Sequence, residues 1–128
     1  MWPWWPDGLK SHSRRVLLRR DPLSCYRTNC HCGNCRRAIG AQSVAWVIVD
    51  RVNFVIEKGE PRRFRTDTEA WRTFCPTCGT SITYESDRRA DQVDLTTGSL
   101  DTPGDFAPQS DTYADEKVEW VGLVERLS

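Results

Sequence analysis

Three cysteines fall within the six residues CHCGNC, residues 30–35. Three thiolates this close together repel one another strongly, and a bound divalent cation removes that repulsion. Three protein ligands leave the fourth tetrahedral position of a zinc ion for water or substrate, as in catalytic zinc sites. The stretch therefore predicts a zinc site made by Cys30, Cys32 and Cys35. His31 stands between two ligands and is predicted to point away from the metal, either beside the site or into solvent.

A second pair of cysteines occurs in CPTCG, residues 75–79. Two thiolates separated by two residues can bind one tetrahedral ion from a tight turn, and the glycine that follows lets the backbone turn back toward the sulfurs. Cys75 and Cys78 are therefore predicted to be zinc ligands as well. A thioredoxin-like redox pair has the same spacing, but it joins a strand to a helix, whereas strand-like sequence flanks this pair on both sides.

Two other uses of the six cysteines fit the sequence less well. The spacing matches no common ferredoxin pattern for an iron–sulfur cluster. A disulfide framework needs export, yet residues 16–18 are the only apolar run near the start, where a signal peptide needs about 7–15 residues. The predicted compartment is the cytoplasm, where thiols stay reduced. Residues 41–49, the longest uncharged apolar stretch, are too few for the ~20 of a membrane helix, and no membrane partner is expected.

Short runs of β-branched and aromatic residues recur along the chain between turn-forming residues. They predict a mainly β fold with many short strands, at residues 44–49, 53–57, 62–65, 70–74, 81–85 and 92–97, and a short last element at residues 117–121. Residues 101–108 are predicted to be a loop. Five aromatic residues in these segments are predicted to lie in the core: Trp46, Phe54, Trp71, Phe74 and Trp120.

The start of the chain differs from the rest. The formal net charge is zero, but residues 1–37 carry eight Lys or Arg against two Asp or Glu. Three tryptophans lie among the first five residues, between prolines that oppose both helix and sheet. Residues 1–24 are therefore predicted to be a weakly structured basic arm, and residues 25–128 a single zinc domain. The arm is interpreted as a solvated tail, or otherwise as a contact for nucleic acid or an acidic partner.

Three blocks of the sequence, residues 30–37, 73–80 and 97–101, resemble the glutathione-dependent formaldehyde-activating family, also called the CENP-V/GFA domain. The resemblance covers roughly residues 23–120. It implies an Mss4-like fold, in which short antiparallel sheets are joined around zinc. It also implies that Cys30, Cys32 and Cys35 hold a catalytic zinc, while Cys75 and Cys78 supply half of a structural zinc site.

The chain departs from the family pattern in two places. Family members open with a G-x-C-x-C-G stretch that completes the structural site, and residues 1–24 contain no cysteine. A structural site built on Cys75 and Cys78 alone would need water, Cys25 or His12, and is expected to bind zinc poorly. Members also often carry a histidine three residues after a proline near the C-terminus, where this chain has Asp111.

The resemblance implies a zinc-dependent carbon–sulfur lyase that acts on the adduct of a thiol, such as glutathione, with formaldehyde or on a related adduct. Glutathione carries two carboxylates, and Arg36, Arg37 and Arg72 are candidate cationic partners for them. The alternative is a non-enzymatic binding module stabilised by zinc, similar to Mss4-like or CENP-V-like interaction domains. A small-molecule thiol or aldehyde adduct is the expected partner and nucleic acid is not; the sequence does not predict an oligomeric state.

Overall fold

The computed structural model describes residues 9–10, 17–20 and 25–124 of the 128-residue chain. The described part is mainly β, as predicted. Its ten strands are β1 (Leu9–Lys10), β2 (Leu17–Arg20), β3 (Cys25–Cys30), β4 (Val44–Asp50), β5 (Phe54–Lys58), β6 (Arg62–Arg65), β7 (Ala70–Phe74), β8 (Ser81–Ser86), β9 (Gln92–Thr96) and β10 (Ser110–Thr112). One α-helix, α1 (Gly33–Ile39), lies between β3 and β4.

The strands form two sheets. The larger has seven strands in the order β10-β3-β4-β9-β8-β7-β6, and all of its pairings are antiparallel except that of β10 with β3. The smaller has the order β1-β2-β5. Short, mostly antiparallel strands around a cysteine cluster confirm the predicted Mss4-like architecture. The six predicted strands are all present, at residues 44–50, 54–58, 62–65, 70–74, 81–86 and 92–96.

Strand β4 is an inner strand of the larger sheet, between β3 and β9, and is buried on both faces. Successive side chains of a strand point to opposite faces, so Trp46 and Val47 belong to different clusters. Val47 and Val49 pack in one cluster with Val93 and Leu95 of β9. Trp46 packs in the other, which contains Cys30 and Cys35. Burial on both sides explains why residues 44–49 form an unbroken apolar run.

The predicted short last element, residues 117–121, forms neither a strand nor a helix. Val121 donates its backbone N–H to the carbonyl of Val118, which makes a turn. The prediction that Trp120 lies in the core is wrong, because this side chain is 77% exposed and its indole N–H donates to Gln42. An amphipathic ring with one polar partner at the surface suits tryptophan as well as a core position does.

The other four aromatic residues predicted to lie in the core differ in how deeply they are buried. Trp46 is buried at 3% exposure, and Phe54 packs against the cluster that contains Val47. Trp71 and Phe74 are half-buried. The Trp71 ring lies under two guanidinium groups, those of Arg63 at 4.1 Å and Arg65 at 5.2 Å from its centroid. The two arginines cover part of the Trp71 ring that other core side chains would otherwise cover.

Two strands lie within the predicted N-terminal arm. The backbone of β2 pairs with β5 in antiparallel register, so that Arg20 lies opposite Phe54. The division of the chain at residue 24 stays a prediction, and the remaining residues of the arm, His12 among them, lie outside the described residues. Within the described ranges, no helix combines the length and the apolar character that crossing a membrane requires.

Candidate metal centre

The three cysteines of the first cluster are brought together by a strand, a turn and a helix. Cys30 ends β3, Cys32 is the N-terminal cap of α1, and Cys35 lies in the first turn of that helix. The backbone N–H of Cys35 donates to the sulfur of Cys32 at 3.3 Å. This is the position where an Asp or Ser side chain usually accepts from a helix N-terminus. The helix thus turns the two sulfurs of a C-x-x-C sequence toward the end of β3.

The sulfur atoms of Cys30, Cys32 and Cys35 all lie within 4.8 Å of one another. Those of Cys30 and Cys35 are 3.7 Å apart, far longer than a disulfide bond. Cys30 and Cys35 are buried and Cys32 is half-buried. Among the described residues, this is the one group of three or more His, Cys, Asp or Glu side chains whose ligand atoms converge so closely.

The surroundings of the three thiols shift their pKa values in different directions. The hydrogen bond donated by the Cys30 thiol lowers the pKa of Cys35 to about 5, and the guanidinium of Arg72, 3.7 Å from the Cys35 sulfur, acts in the same direction against the effect of burial. The pKa of Cys30 is raised by the hydrogen bond between Cys30 and Cys35 and by burial of the Cys30 thiol. Burial raises the pKa of Cys32. Without a metal, therefore, Cys35 is the sulfur that carries the negative charge.

Zinc fits this donor set. Tetrahedral Zn–S bonds of about 2.3 Å place two sulfurs roughly 3.5–4 Å apart, and the Cys30 and Cys35 sulfurs are 3.7 Å apart. Thiolates are soft donors of the kind that zinc accepts. The N–H donated to the Cys32 sulfur supports a negative sulfur, as hydrogen bonds to metal ligands commonly do. The three cysteines supply three ligands, one fewer than a closed structural site.

Arg72 is the predicted arginine that reaches the cluster. It stands on β7 opposite Tyr84 of β8, and its guanidinium lies 4.7 Å from the centre of the Tyr84 ring. That ring in turn lies 6.1 Å from the ring of Trp46. The cross-strand pair therefore holds the cation over an aromatic surface and beside the Cys35 sulfur.

A cleft of about 630 Å³ adjoins the cluster on the Arg72 side. Its walls include Asn34 and Ala38 of α1 on one side and Phe64, Arg65, Arg72 and Phe74 of β6 and β7 on the other. Asn34 lies between two of the predicted ligands in sequence, so the cleft and the sulfurs share the start of the helix. Sequence reasoning missed Asn34, Phe64 and Arg65, because nothing in a strand pattern indicates which strand faces the helix.

Arg36 and Arg37, the other predicted arginines, lie in the last turn of α1. Arg36 is half-buried and Arg37 is exposed, and neither is among the residues that line the cleft. Their predicted role toward a carboxylate stays a prediction.

His31 lies outside the group of converging sulfurs, and the reading of it as a solvated side chain is wrong. The ring is fully buried, and its Nε2 lies 2.7 Å from a carboxylate oxygen of Asp111. His31 therefore lies beside the site, which is the other of the two predicted positions. No sequence signal could have found the partner, because 80 residues separate His31 from Asp111.

Cys75 and Cys78 lie in a different environment. The predicted turn is present: Gly79 donates its N–H to the carbonyl of Cys75 at 2.8 Å and has a φ of 79°. Cys75 is fully buried in the apolar cluster of Val47, against which Cys25 also packs. Cys78 is exposed, and its sulfur lies 3.1 Å from the hydroxyl of Thr80. The predicted role of this pair as half of a structural zinc site stays a prediction.

Two comparisons with known proteins match most of the chain. The crystal structure of a Rhodobacter sphaeroides protein, determined as a structural genomics target, is similar with a TM-score of 0.60 and 20% sequence identity, over 73% of this chain and 86% of that one. At that identity the similarity concerns the fold alone. No protein with a curated description matches. Residues 14–116 match the family described as glutathione-dependent formaldehyde-activating enzyme. The chain therefore belongs to that family.

Proposed function

We propose that this chain is a zinc-dependent carbon–sulfur lyase that acts on the adduct of a thiol, such as glutathione, with formaldehyde or on a related adduct. The observation that carries the proposal is the convergence of three cysteine sulfurs beside a cleft. An interaction module needs zinc only to stabilise its fold, through four protein ligands, whereas an enzyme needs one coordination position of the zinc open for its substrate.

The proposed reaction breaks one carbon–sulfur bond, and its reverse forms that bond. In the lyase direction, R–S–CH2–OH gives R–SH and CH2=O: the carbon–sulfur bond breaks, the hydroxyl loses its proton as the carbonyl forms, and the sulfur gains a proton. Zinc bound by the three cysteines would supply a Lewis acid that stabilises negative charge on sulfur or oxygen. The reverse reaction joins the same groups, and no oxidant or reductant takes part.

The residues around the cluster have separate parts in this proposal. Arg72 donates to the Cys35 sulfur, holding that ligand in place and balancing its charge. The cleft between α1 and strands β6 and β7 receives the thiol. Arg65 lies in its wall, in an ion pair with Asp87, and a glutathione carboxylate would compete with Asp87 for that guanidinium. The proposed compartment is the cytoplasm, where both the cysteines and a thiol substrate stay reduced.

The test is the rate of exchange between formaldehyde, glutathione and their adduct, measured by NMR exchange spectroscopy with 13C-labelled formaldehyde. Exchange also occurs spontaneously, so the expected result is an acceleration proportional to enzyme concentration. Cys32→Ser should abolish the acceleration together with the bound zinc. The matched control, Cys78→Ser, changes the same atom at an exposed cysteine outside the cluster and should retain both.

The two proposed properties can fail separately. A wild-type protein that binds zinc at the cluster but leaves the exchange rate at its spontaneous value would contradict the lyase and favour the binding module. Equal acceleration of exchange by the wild type and by Cys32→Ser would contradict the assignment of the reaction to the cysteine cluster.

A further inference from the structure

The metal-binding stretch, residues 30–35, is held along its length by a part of the chain that is distant in sequence. This part is the C-terminal segment, residues 110–124, which begins with β10. Strand β10 pairs in parallel with β3, so that Thr112 lies opposite Cys30. The carbonyl of Thr112 then accepts the backbone N–H of His31 at 2.9 Å. The backbone on both sides of the first sulfur ligand is therefore fixed by β10.

A side chain of the same segment holds the residue between the first two ligands. One carboxylate oxygen of Asp111 lies 2.7 Å from the His31 ring nitrogen, and the other accepts the backbone N–H of Val124 at 2.8 Å. The His31 side chain is fully buried and that of Asp111 is 3% exposed. A buried carboxylate with both oxygens occupied is costly to displace, and it fixes the orientation of the imidazole between Cys30 and Cys32.

A third contact lies at the start of α1, between the second and third ligands. The carboxylate of Glu116 accepts the backbone N–H of Gly33 at 3.0 Å. The first N–H groups of a helix have no partner within the helix, so this acceptor satisfies one of them. Two of the three contacts, at the N–H and the ring of His31, lie between the first and second ligands, and the third, at the N–H of Gly33, lies between the second and third.

We propose that Asp111 and Glu116 are positioning residues for the zinc site and that their contacts with His31 and Gly33 set its metal affinity. This inference rests on the proposed zinc site. Three ligands within six residues can bind one ion only when the intervening backbone is correctly folded. A stretch that is ordered before the metal arrives loses less entropy on binding. Loss of outer contacts of this kind typically weakens metal binding by about 10- to 100-fold.

The experiment measures the zinc affinity of the full-length protein by competition with a chromophoric chelator, with zinc alone as the ligand. Asp111→Asn keeps the size of the side chain but removes one of its two acceptor oxygens. It should weaken zinc binding by about 10-fold or more. Glu116→Ala should weaken it by a smaller factor, while Glu116→Gln, which keeps an acceptor oxygen, should restore the wild-type affinity. Glu116 is exposed, so its variants test the proposal even if the Asp111 variant fails to fold.

Two controls separate positioning from general destabilisation. Asp115→Asn makes the same chemical change one residue before Glu116, at an exposed side chain, and should leave the affinity unchanged. Val93→Ala creates a cavity in the cluster of Val47, lowering stability without touching the stretch, and should leave it unchanged too. Equal affinities for the wild type, Asp111→Asn and Glu116→Ala would overturn the inference alone. A wild-type protein that binds no zinc at the cluster would overturn both the inference and the proposed function.

Discussion

The chain contains the spacing C-x-x-C twice, and the two copies lie in different environments. Cys32 and Cys35 cap and begin a helix, and they meet a third sulfur, that of Cys30, at the end of the preceding strand. Cys75 and Cys78 flank a tight turn between two strands, with one side chain in the apolar core and the other exposed. The spacing alone therefore predicts a turn that could bind metal; a third ligand and a cation beside it distinguish the first site.

The neighbouring residues extend this contrast. Around the first cluster, the guanidinium of Arg72 and the N–H of Cys35 both donate to sulfur, so the surroundings favour negative sulfur. Cys75 instead packs in the apolar cluster that contains Val47 and Ile82. The first pair thus lies among groups that donate to sulfur, whereas one member of the second, Cys75, lies in the apolar core.

Removal of zinc is expected to have the largest effect that separates the two clusters. A ligand that binds the folded state stabilises it by about 4 kcal/mol when its concentration is 1,000 times its dissociation constant. Chelation should therefore lower the free energy of unfolding of the wild type by several kcal/mol. Denaturant unfolding with and without zinc measures this. The Cys32→Ser variant should not respond to the chelator, and a response as large as that of the wild type would break the comparison.

Substitution within the second pair is expected to have an intermediate and unequal effect. Cys75→Ser places a hydroxyl in the apolar core and should lower the free energy of unfolding by about 1–3 kcal/mol. Cys78→Ser changes an exposed atom and should lower it by no more than about 0.5 kcal/mol. Denaturant unfolding of the two variants gives both values. If Cys78→Ser costs as much as Cys75→Ser and also releases a zinc ion, the second pair is a metal site and the contrast fails.

The charge state of the metal-free first cluster is expected to show a smaller, electrostatic effect. The pKa of Cys35 is lowered to about 5, while those of Cys30 and Cys32 are raised. The chelated protein should therefore gain one buried thiolate as pH rises through about 5, visible as ultraviolet thiolate absorbance, and lose it below that pH. Arg72→Met removes a cation that stabilises the thiolate, so the step should move to higher pH. A step that does not move would remove Arg72 from the account.

The parts of the fold that sequence predicted are those with local signals. Residues 44–49 are β-branched and aromatic and formed the expected strand because both of its faces are buried. Strand β10 carries no such signal: its three residues, Ser110–Thr112, are polar, and it exists because its backbone pairs with β3 more than 80 residues away. Pairing of that kind is decided by tertiary structure, which no window of sequence contains.

The helix and the site show the same limit. Helix α1 has seven residues and opens with Gly33 and Asn34, which have weak helix propensity, so the sequence pattern does not predict it. Gly40, with a φ of 75°, was the local stop signal available. The three ligands were predictable because they are close in sequence. Arg72, Asp111 and the cleft reach the ligands from other strands, and of these only Arg72 is predicted from the sequence, because of its charge.

The central claim is that one zinc ion binds to Cys30, Cys32 and Cys35. X-ray absorption at the zinc edge of the purified protein, with total zinc counted by elemental analysis, tests it most directly. The account predicts a zinc ion with three sulfur neighbours at about 2.3 Å and a lighter fourth neighbour, present in the wild type and in Cys78→Ser but absent in Cys32→Ser. A protein without zinc, or a zinc signal that survives in Cys32→Ser and disappears in Cys78→Ser, would contradict it.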